Sequence, residues 1–231
     1  MLIDYYLCFL CCVLLGTVVN KASDSIINNS DSKNGNVLTV GYEKRLFIKK
    51  PITIDLKKFP SLSITGISGT GKTCLITGAL MKNKADKVLL NAYEDDFKGI
   101  HFKKRITDIE EIERYLDYLL EIDRLDRFTI VVIDEALSLT VYKKINEKIK
   151  ILLTKNRHKN CAIILLFQEL NKTLVPYKTL FTARIVMRMI QQSDYQSALG
   201  TTIENGINLQ NREFILVSDG IYFGKSCNLN F

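Results

Sequence analysis

The octapeptide Gly66–Thr73 constrains the fold of this chain more than any other part of its sequence, because it fits the pattern G-x-x-x-x-G-K-[ST] at every fixed position. The run Ser61–Thr65 before it predicts a strand, and the residues after Gly71 predict a helix through Leu80. Glycines let the backbone curl so that its N–H groups face inward around an anion. The dipole of the helix N-terminus adds to that attraction. This strand–loop–helix unit predicts a phosphate-binding loop in an α/β fold.

The side chains of this loop predict ATP and Mg²⁺ as cofactors. Lys72 supplies a positive charge to the β- and γ-phosphates, and the hydroxyl of Thr73 reaches Mg²⁺. A chance glycine-rich turn is the alternative, but a strand and a helix are predicted where a phosphate-binding loop requires them. The predicted nucleotide-binding residues are Gly66, Ile67, Ser68, Gly69, Thr70, Gly71, Lys72, Thr73 and Cys74.

A second motif, Ile130–Glu135, places two carboxylates at the end of an apolar, β-branched run. Such a run, here Thr129–Ile133, is typical of a buried parallel strand. At its end, Asp134 can hold the Mg²⁺ shell, and Glu135 can orient and deprotonate an attacking water molecule. An acidic surface turn after a core strand is the alternative, and the phosphate-binding loop upstream argues against it.

Predicted strands and helices alternate along the chain, which indicates an α/β class with a largely parallel sheet. The strand Lys87–Ala92, inserted between the two motifs, and Glu135 after the metal-binding aspartate together describe the RecA-like additional-strand P-loop NTPases. In that class the strand Ala162–Phe167 would lie between the two motif strands, with Gln168 facing the γ-phosphate. A solvated glutamine is the alternative. The other predicted elements are strands Thr53–Leu56, Ala183–Ile190 and Glu213–Val217, helices Asp108–Asp123 and Val141–Leu153, and a hairpin turn at Asp219-Gly220.

The N-terminal residues predict a membrane helix and a linker ahead of the globular domain. Residues 2–19 are uncharged apart from Asp4, which is at the short limit for a membrane-spanning helix. A signal peptide is the alternative, although its usual basic start is missing. Lys21 follows the run and predicts a cytoplasmic location for the remainder; without insertion, the chain would be soluble in the cytoplasm. The predicted division is a membrane anchor at 1–20, a linker at 21–36 and an ATPase domain at 37–231.

The charge of the chain is compatible with a nucleic-acid partner. The formal net charge is +7, which also fits plain solubility. A basic stretch could face nucleic acid or a neighbouring subunit, or could be a solvated helix face. Its members are Lys143, Lys144, Lys148, Lys150, Lys155, Arg157 and Lys159. The six cysteines form no disulfide framework, which predicts a reducing compartment.

Several short stretches, spread over most of the chain, together resemble one known family. Pro51–Pro60 leads directly into the phosphate-binding loop, and Asn156–Asn160 forms a basic lead-in to the strand that ends at Phe167-Gln168. Thr182–Ile185 and Ser193–Gly200 form a later pair. These stretches are similar to motifs of the FtsK/SpoIIIE DNA translocases, within the FtsK–HerA superfamily. The chain departs from that family after the inserted strand and after the glutamine. There, Asn91 and Glu169 replace its aspartate and arginine.

The resemblance implies partners that the residues alone do not predict. Members of this superfamily work as hexameric rings with ATP between subunits and double-stranded DNA in the central pore, so it implies a homo-oligomer and duplex DNA. It also implies that a neighbour's arginine completes the site. Arg184 and Arg157 are the candidates by motif position, beside the catalytic set Lys72, Glu135 and Gln168. The implied function is an ATP-hydrolysing DNA translocase of a mobile element or virus, in transfer or packaging.

Two other functions remain as alternatives. The first is a membrane-associated assembly or export ATPase of the filamentous-phage morphogenesis type, which agrees with the apolar run at 2–19. The second is a nucleotide-binding structural subunit without turnover. The intact set of Lys72, Thr73, Asp134 and Glu135 argues against the second. Stimulation of ATP hydrolysis by duplex DNA would separate a DNA motor from the first.

Overall fold

The computed structural model describes residues 35–43, 50–170, 173, 175–203 and 207–226. The predicted anchor at 2–19 and nearly all of the predicted linker lie outside these ranges. Within them, no helix is both long enough and apolar enough to cross a membrane. The first described strand begins at Val37.

The described residues form one ten-stranded sheet with helices on both faces. The strands are β1 (Val37–Glu43), β2 (Pro51–Asp55), β3 (Ser61–Thr65), β4 (Asp86–Leu90), β5 (Lys104–Ile106), β6 (Thr129–Ile133), β7 (Cys161–Phe167), β8 (Ala183–Val186), β9 (Glu213–Val217) and β10 (Ile221–Lys225). The helices are α1 (Lys72–Met81), α2 (Ile109–Glu121), α3 (Ala136–Leu139), α4 (Lys143–Lys155) and α5 (Gln192–Leu199), with a 3₁₀ turn at Lys178–Leu180. The strand order is β2-β1-β10-β9-β8-β3-β7-β6-β4-β5.

Six of the ten strands are parallel and adjacent, which confirms the predicted α/β class. Strands β8, β3, β7, β6, β4 and β5 run parallel, and the other four form an antiparallel extension beside β8. Ile130 and Val132 of β6 lie in one core, and Val131 and Ile133 in the other, because successive side chains of a strand point to opposite faces. Helix α1 covers the first core, and α2 and α4 cover the second.

The order of the parallel strands gathers the sequence motifs at one edge. Strand β7 pairs with both β3 and β6, so it lies between the two motif strands, as predicted. The phosphate-binding loop, Asp134-Glu135 and Gln168 therefore all follow the carboxyl ends of neighbouring parallel strands. We call this side of the sheet the nucleotide edge and the opposite side the amino edge. The loop 156–160, which precedes β7, lies at the amino edge.

Most predicted elements agree with the structure to within two residues, and the largest difference lies at β8. This strand ends at Val186, whereas the sequence predicts that it continues to Ile190. Its pairing with β3 ends there because β3 itself ends at Thr65, opposite Val186, and continues as the phosphate-binding loop. The hairpin predicted at Asp219-Gly220 is confirmed by the antiparallel pair β9 and β10. Five described elements are additional to the predicted ones: β1, β5, α3, α5 and the 3₁₀ turn.

Candidate nucleotide-binding site

The phosphate-binding loop connects β3 to α1 and has the backbone that its glycines permit. Gly69 and Gly71 have φ angles of 76° and 98°, in the left-handed region that favours glycine. At Gly66, a Cβ atom would lie 2.9 Å from both Met187 Cβ and Thr70 Oγ1, so a side chain there would clash. The Thr70 hydroxyl donates to the carbonyl oxygen of Ile67 at 2.8 Å and closes the loop on itself. The loop therefore leaves room on its open side, where no atom lies within 4 Å of a Cβ atom built at Gly69.

Lys72 carries the central positive charge of the loop. It is the first residue of α1 and is buried, and its Nζ donates to the carbonyl oxygens of Gly66 at 2.8 Å and Ile67 at 3.3 Å. Burial lowers the pKa of Lys72, while the carboxylates of Glu135 and Asp134 oppose that shift. A buried ammonium group held only by carbonyl oxygens gains most from an anion. This geometry fits the phosphates of a nucleotide.

Asp134 follows directly after β6 and is buried, with 4% of its surface exposed. Its Oδ1 atom accepts the N–H of Glu135 at 2.9 Å. Burial raises the pKa of Asp134 to about 6; the charges of Glu135 and Asp96 add to this, and the N–H of Glu135 and the charge of Lys72 act against it. A buried carboxylate of this kind is stabilised in its ionised form by a cation. Together with the Thr73 hydroxyl and phosphate oxygens, it fits the oxygen ligands that Mg²⁺ prefers.

Glu135 and Gln168 meet at the nucleotide edge, as their positions after β6 and β7 predict. The Nε2 atom of Gln168 donates to both carboxylate oxygens of Glu135, at 3.2 and 3.0 Å. Glu135 has a left-handed backbone, with φ 43° and ψ 43°, immediately before α3. An amide that contacts the general base can also contact the attacking water molecule or the γ-phosphate.

The structure distinguishes the two arginines that the sequence proposes for a neighbouring site. Arg184, in β8, donates to the carbonyl oxygens of Leu199 at 2.9 Å and Lys178 at 3.2 Å in its own chain. Arg157 lies at the amino edge, is exposed, and has no hydrogen-bond or ion-pair partner among the described residues. Strand β7, which separates Arg157 from Gln168, alone spans about 20 Å. Arg157 therefore lies far from the nucleotide edge of its own chain.

Two members of the predicted basic stretch have structural roles. Lys148 Nζ lies 2.7 Å from Glu113 Oε1 and 2.7 Å from Asp117 Oδ2. Lys159 is buried, and its Nζ donates to the carbonyl oxygens of Leu120 and Ile122 at the end of α2. The remaining cations of the stretch are exposed. They are Lys143, Lys144, Lys150, Lys155 and Arg157.

Three residues near the site were not predicted to belong to it. Arg212 donates its backbone N–H to the carbonyl oxygen of Thr70 at 3.1 Å, and the carbonyl oxygen of Arg188 accepts from the loop on its other side. Both lie far along the chain from the octapeptide, so no local pattern links them to it. The third, Asn91, marks a departure from the family pattern in the sequence, and its amide contacts the Asp134–Glu135 turn.

The fold and this site define the additional-strand class of RecA-like P-loop NTPases. No family model and no curated protein matches the chain. Among solved structures, the pCW3 conjugation coupling protein TcpA has a TM-score of 0.66 and 18% identity over 86% of this chain and 67% of its own. The cytoplasmic domain of the type VII secretion ATPase EccC from Thermomonospora curvata has a TM-score of 0.67 and 17% identity. The match covers 86% of this chain and 29% of that cytoplasmic domain.

A viral protein is matched over its whole length. The genome packaging NTPase B204 from Sulfolobus turreted icosahedral virus 2, in complex with ATP-γS, has a TM-score of 0.54 and 14% identity. The match covers 76% of this chain and all of B204. These neighbours are FtsK/HerA-like ATPases. At such identities the likeness shows the fold alone, and it confirms the fold that the sequence resemblance implies.

Proposed function

We propose that this chain is a Mg²⁺-dependent ATPase. The observation that carries the proposal is the meeting of the Lys72 ammonium group, the buried Asp134 carboxylate and the Glu135–Gln168 pair at one edge of the sheet. Structures of TcpA and B204 hold ATP-γS, which supports ATP as the nucleotide. A protein that binds nucleotide only for structural reasons would not need the Glu135–Gln168 pair, which is placed to activate water.

Each side chain has a defined part in hydrolysis. Lys72 would exchange its loop carbonyl partners for β- and γ-phosphate oxygens. Thr73 and Asp134 would hold Mg²⁺, which when bound offsets phosphate charge. Glu135 would accept the proton of the attacking water molecule, and Gln168 would align that water with the γ-phosphorus.

Two variants test this role of the site. Lys72→Ala should lose ATP affinity and turnover together, because the phosphate charge loses its counterpart. Glu135→Gln should bind ATP normally and lose turnover by about 10²-fold or more, because an amide cannot accept a proton. Lys87→Ala is the matched control, since Lys87 is also buried and donates to two backbone carbonyls, but lies at the amino edge. Normal hydrolysis by Lys72→Ala would show that the site lies elsewhere.

We further propose that ATP hydrolysis moves double-stranded DNA for a mobile element or virus. TcpA is a conjugation coupling protein and B204 a genome packaging NTPase, which supports DNA transfer or packaging. The net charge of +7 and the five exposed cations in and after α4 agree with a polyanionic partner. ATP turnover by the full chain should rise several-fold with duplex DNA, measured against single-stranded DNA and DNA-free protein.

A secretion role is the second candidate, because the fold also matches the secretion ATPase EccC. An assembly or export ATPase at a membrane would agree with the predicted anchor at 2–19. Such a protein should hydrolyse ATP at the same rate with and without DNA. DNA-independent turnover, with loss of activity in Lys72→Ala, would therefore favour export over DNA transport.

Ring assembly would complete the site with a neighbour's arginine. Arg157 is the better candidate, because it is exposed at the amino edge, whereas the guanidinium group of Arg184 donates to carbonyl oxygens of its own chain. A homo-hexamer in which the amino edge of one subunit faces the nucleotide edge of the next would place Arg157 next to phosphate.

A further inference from the structure

Asn91 connects the end of β4 to the catalytic turn that follows β6. The two strands pair in parallel, with Leu90 opposite Ile133, so Asn91 lies beside Asp134. Its Nδ2 atom is 3.0 Å from the carbonyl oxygen of Asp134 and 3.2 Å from that of Glu135. It also lies 2.9 Å from Ser138 Oγ in α3. One amide group therefore contacts the backbone of both catalytic carboxylates.

The turn that Asn91 contacts needs such support. Glu135 has a φ angle of 43°, a conformation that residues other than glycine rarely adopt unless their surroundings impose it. Ser138 Oγ donates to the same Glu135 carbonyl oxygen at 2.9 Å, so two side chains hold one peptide group. Without these bonds, the peptide can rotate, and the Glu135 carboxylate would then leave Gln168.

Asn91 is itself fixed in place. Its backbone N–H donates to the carbonyl oxygen of Ile106 in β5 at 2.9 Å. The loop that follows is held by Arg105, whose Nη2 donates to the carbonyl oxygens of residues 93, 94 and 96. The φ angle of Asn91 is 58°, which asparagine tolerates better than most residues. These hydrogen bonds hold the Asn91 amide in place against the turn.

Only a hydrogen-bond donor can perform this task. The two carbonyl oxygens can only accept, and Ser138 Oγ already uses its hydrogen on Glu135. Aspartate has the same shape as asparagine but would place a carboxylate oxygen against two carbonyl oxygens, which repel it. The amide of Asn91, rather than its size, is what the arrangement requires.

We propose that Asn91 is a positioning residue for ATP hydrolysis, which holds the Asp134–Glu135 turn so that one carboxylate faces the metal site and the other faces Gln168. The inference rests on the proposed ATPase function and adds to it a residue that never touches the nucleotide. We therefore expect that loss of the amide lowers turnover and leaves nucleotide affinity unchanged. The phosphate-binding loop, which connects β3 to α1, does not depend on Asn91.

The test is a steady-state and binding comparison of four full-length proteins. They are the wild type, Asn91→Asp, Asn91→Gly and the control Asn160→Asp. Asn160 also has a φ angle of 58° and donates its amide to a backbone carbonyl, that of Leu125 at 3.0 Å, but it lies at the amino edge. Asn91→Gly tolerates the left-handed backbone and removes the whole side chain, the amide included.

Both Asn91 variants should lose kcat by roughly 10- to 100-fold, as expected for a small misplacement of catalytic groups. Their KM and the Kd of a fluorescent ATP analogue should stay within about threefold of wild type, and Asn160→Asp should keep wild-type kcat. Wild-type kcat in Asn91→Gly, or an equal loss in Asn160→Asp, would overturn the positioning role while leaving the ATPase proposal intact. Absence of turnover in the wild type would instead overturn the ATPase proposal and this inference with it.

Discussion

At the scale of single residues, burial opposes the ionisation of Asp134. Its pKa is raised to about 6 by burial, from an ordinary value of 3.8. The folded protein therefore holds a proton on Asp134 more tightly than the unfolded chain does. Between pH 4 and pH 6 this contribution to stability falls as pH rises, because ionisation becomes favourable sooner in the unfolded state. Binding of Mg²⁺ would remove the cost, since a cation stabilises the ionised form.

Asp134→Asn should consequently stabilise the nucleotide-free protein at neutral pH. The expected gain is about 3 kcal/mol in the free energy of unfolding at pH 7, from a pKa difference of about two units, and it should vanish near pH 4. Urea unfolding at pH 4, 5, 6 and 7 measures this difference. The exposed Asp123→Asn is the control and should show no such trend. An equal stability of wild type and Asp134→Asn at all four pH values would contradict the burial of this charge.

At the scale of elements, α4 and the loop after it carry five exposed cations. Lys148 and Lys159 are not among them, because Lys148 pairs with Glu113 and Asp117 and Lys159 is buried, with its Nζ donating to a carbonyl oxygen at the end of α2. The exposed members lie on α4 and just beyond it, at the amino edge. Their function can therefore be tested by substitution without disturbing the core.

Charge reversal on α4 should weaken DNA binding and lower its dependence on salt. In Lys150→Glu with Lys155→Glu, the plot of log affinity against log salt concentration should become shallower by about one for each phosphate that the protein no longer neutralises. Lys82→Glu with Lys84→Glu, two exposed lysines after α1, is the control and should retain the wild-type slope. Filter binding between 50 and 300 mM salt measures both slopes. Equal slopes for the two double variants would show that Lys150 and Lys155 of α4 do not contact DNA.

Because Arg157 lies in an exposed loop and Arg184 lies in a strand, we expect different phenotypes from their alanine variants. Arg157→Ala should bind ATP normally and lose turnover, and mixing it with Glu135→Gln should restore part of the activity, because a mixed ring pairs an intact site with an intact arginine. Arg184→Ala should instead lower the free energy of unfolding by about 1–3 kcal/mol, since two carbonyl oxygens lose their donor. ATPase assays of mixed subunits and denaturant unfolding test the two expectations. Failure of mixing to rescue Arg157→Ala would exclude its action on a neighbour.

At the scale of the whole molecule, the domain could be joined to a membrane through residues 2–19. The full chain should sediment with membranes and need detergent for extraction, whereas residues 37–231 should stay in the supernatant. The apolar run supplies the reason, since it is just long enough to span a bilayer. Recovery of the intact full chain in the soluble fraction without detergent would exclude an anchor. If the chain is anchored, protease protection of intact vesicles would show on which side of the membrane the domain lies.

Short sequence patterns were enough to predict the phosphate-binding loop, the acidic strand end and the position of β7 between them. Gly69 and Gly71 permit a loop that few other residues could form, and β-branched runs identify buried parallel strands. Gln168 could be placed at the same edge of the sheet as Glu135, because parallel strands end at the same edge. These patterns account for most of the described strands and helices to within two residues.

Which charged and polar side chains are free to act depends on contacts that form only in the folded chain. Lys148 pairs with carboxylates of another helix, Arg184 donates to carbonyl oxygens of α5 and the 3₁₀ turn, and Asn91 donates to the turn after β6. These partners lie between 6 and 44 positions away in the sequence, and no periodic pattern encodes such pairs. The physical reason is that hydrogen bonds and ion pairs depend on distances of about 3 Å, which the packing of the whole sheet and its helices sets.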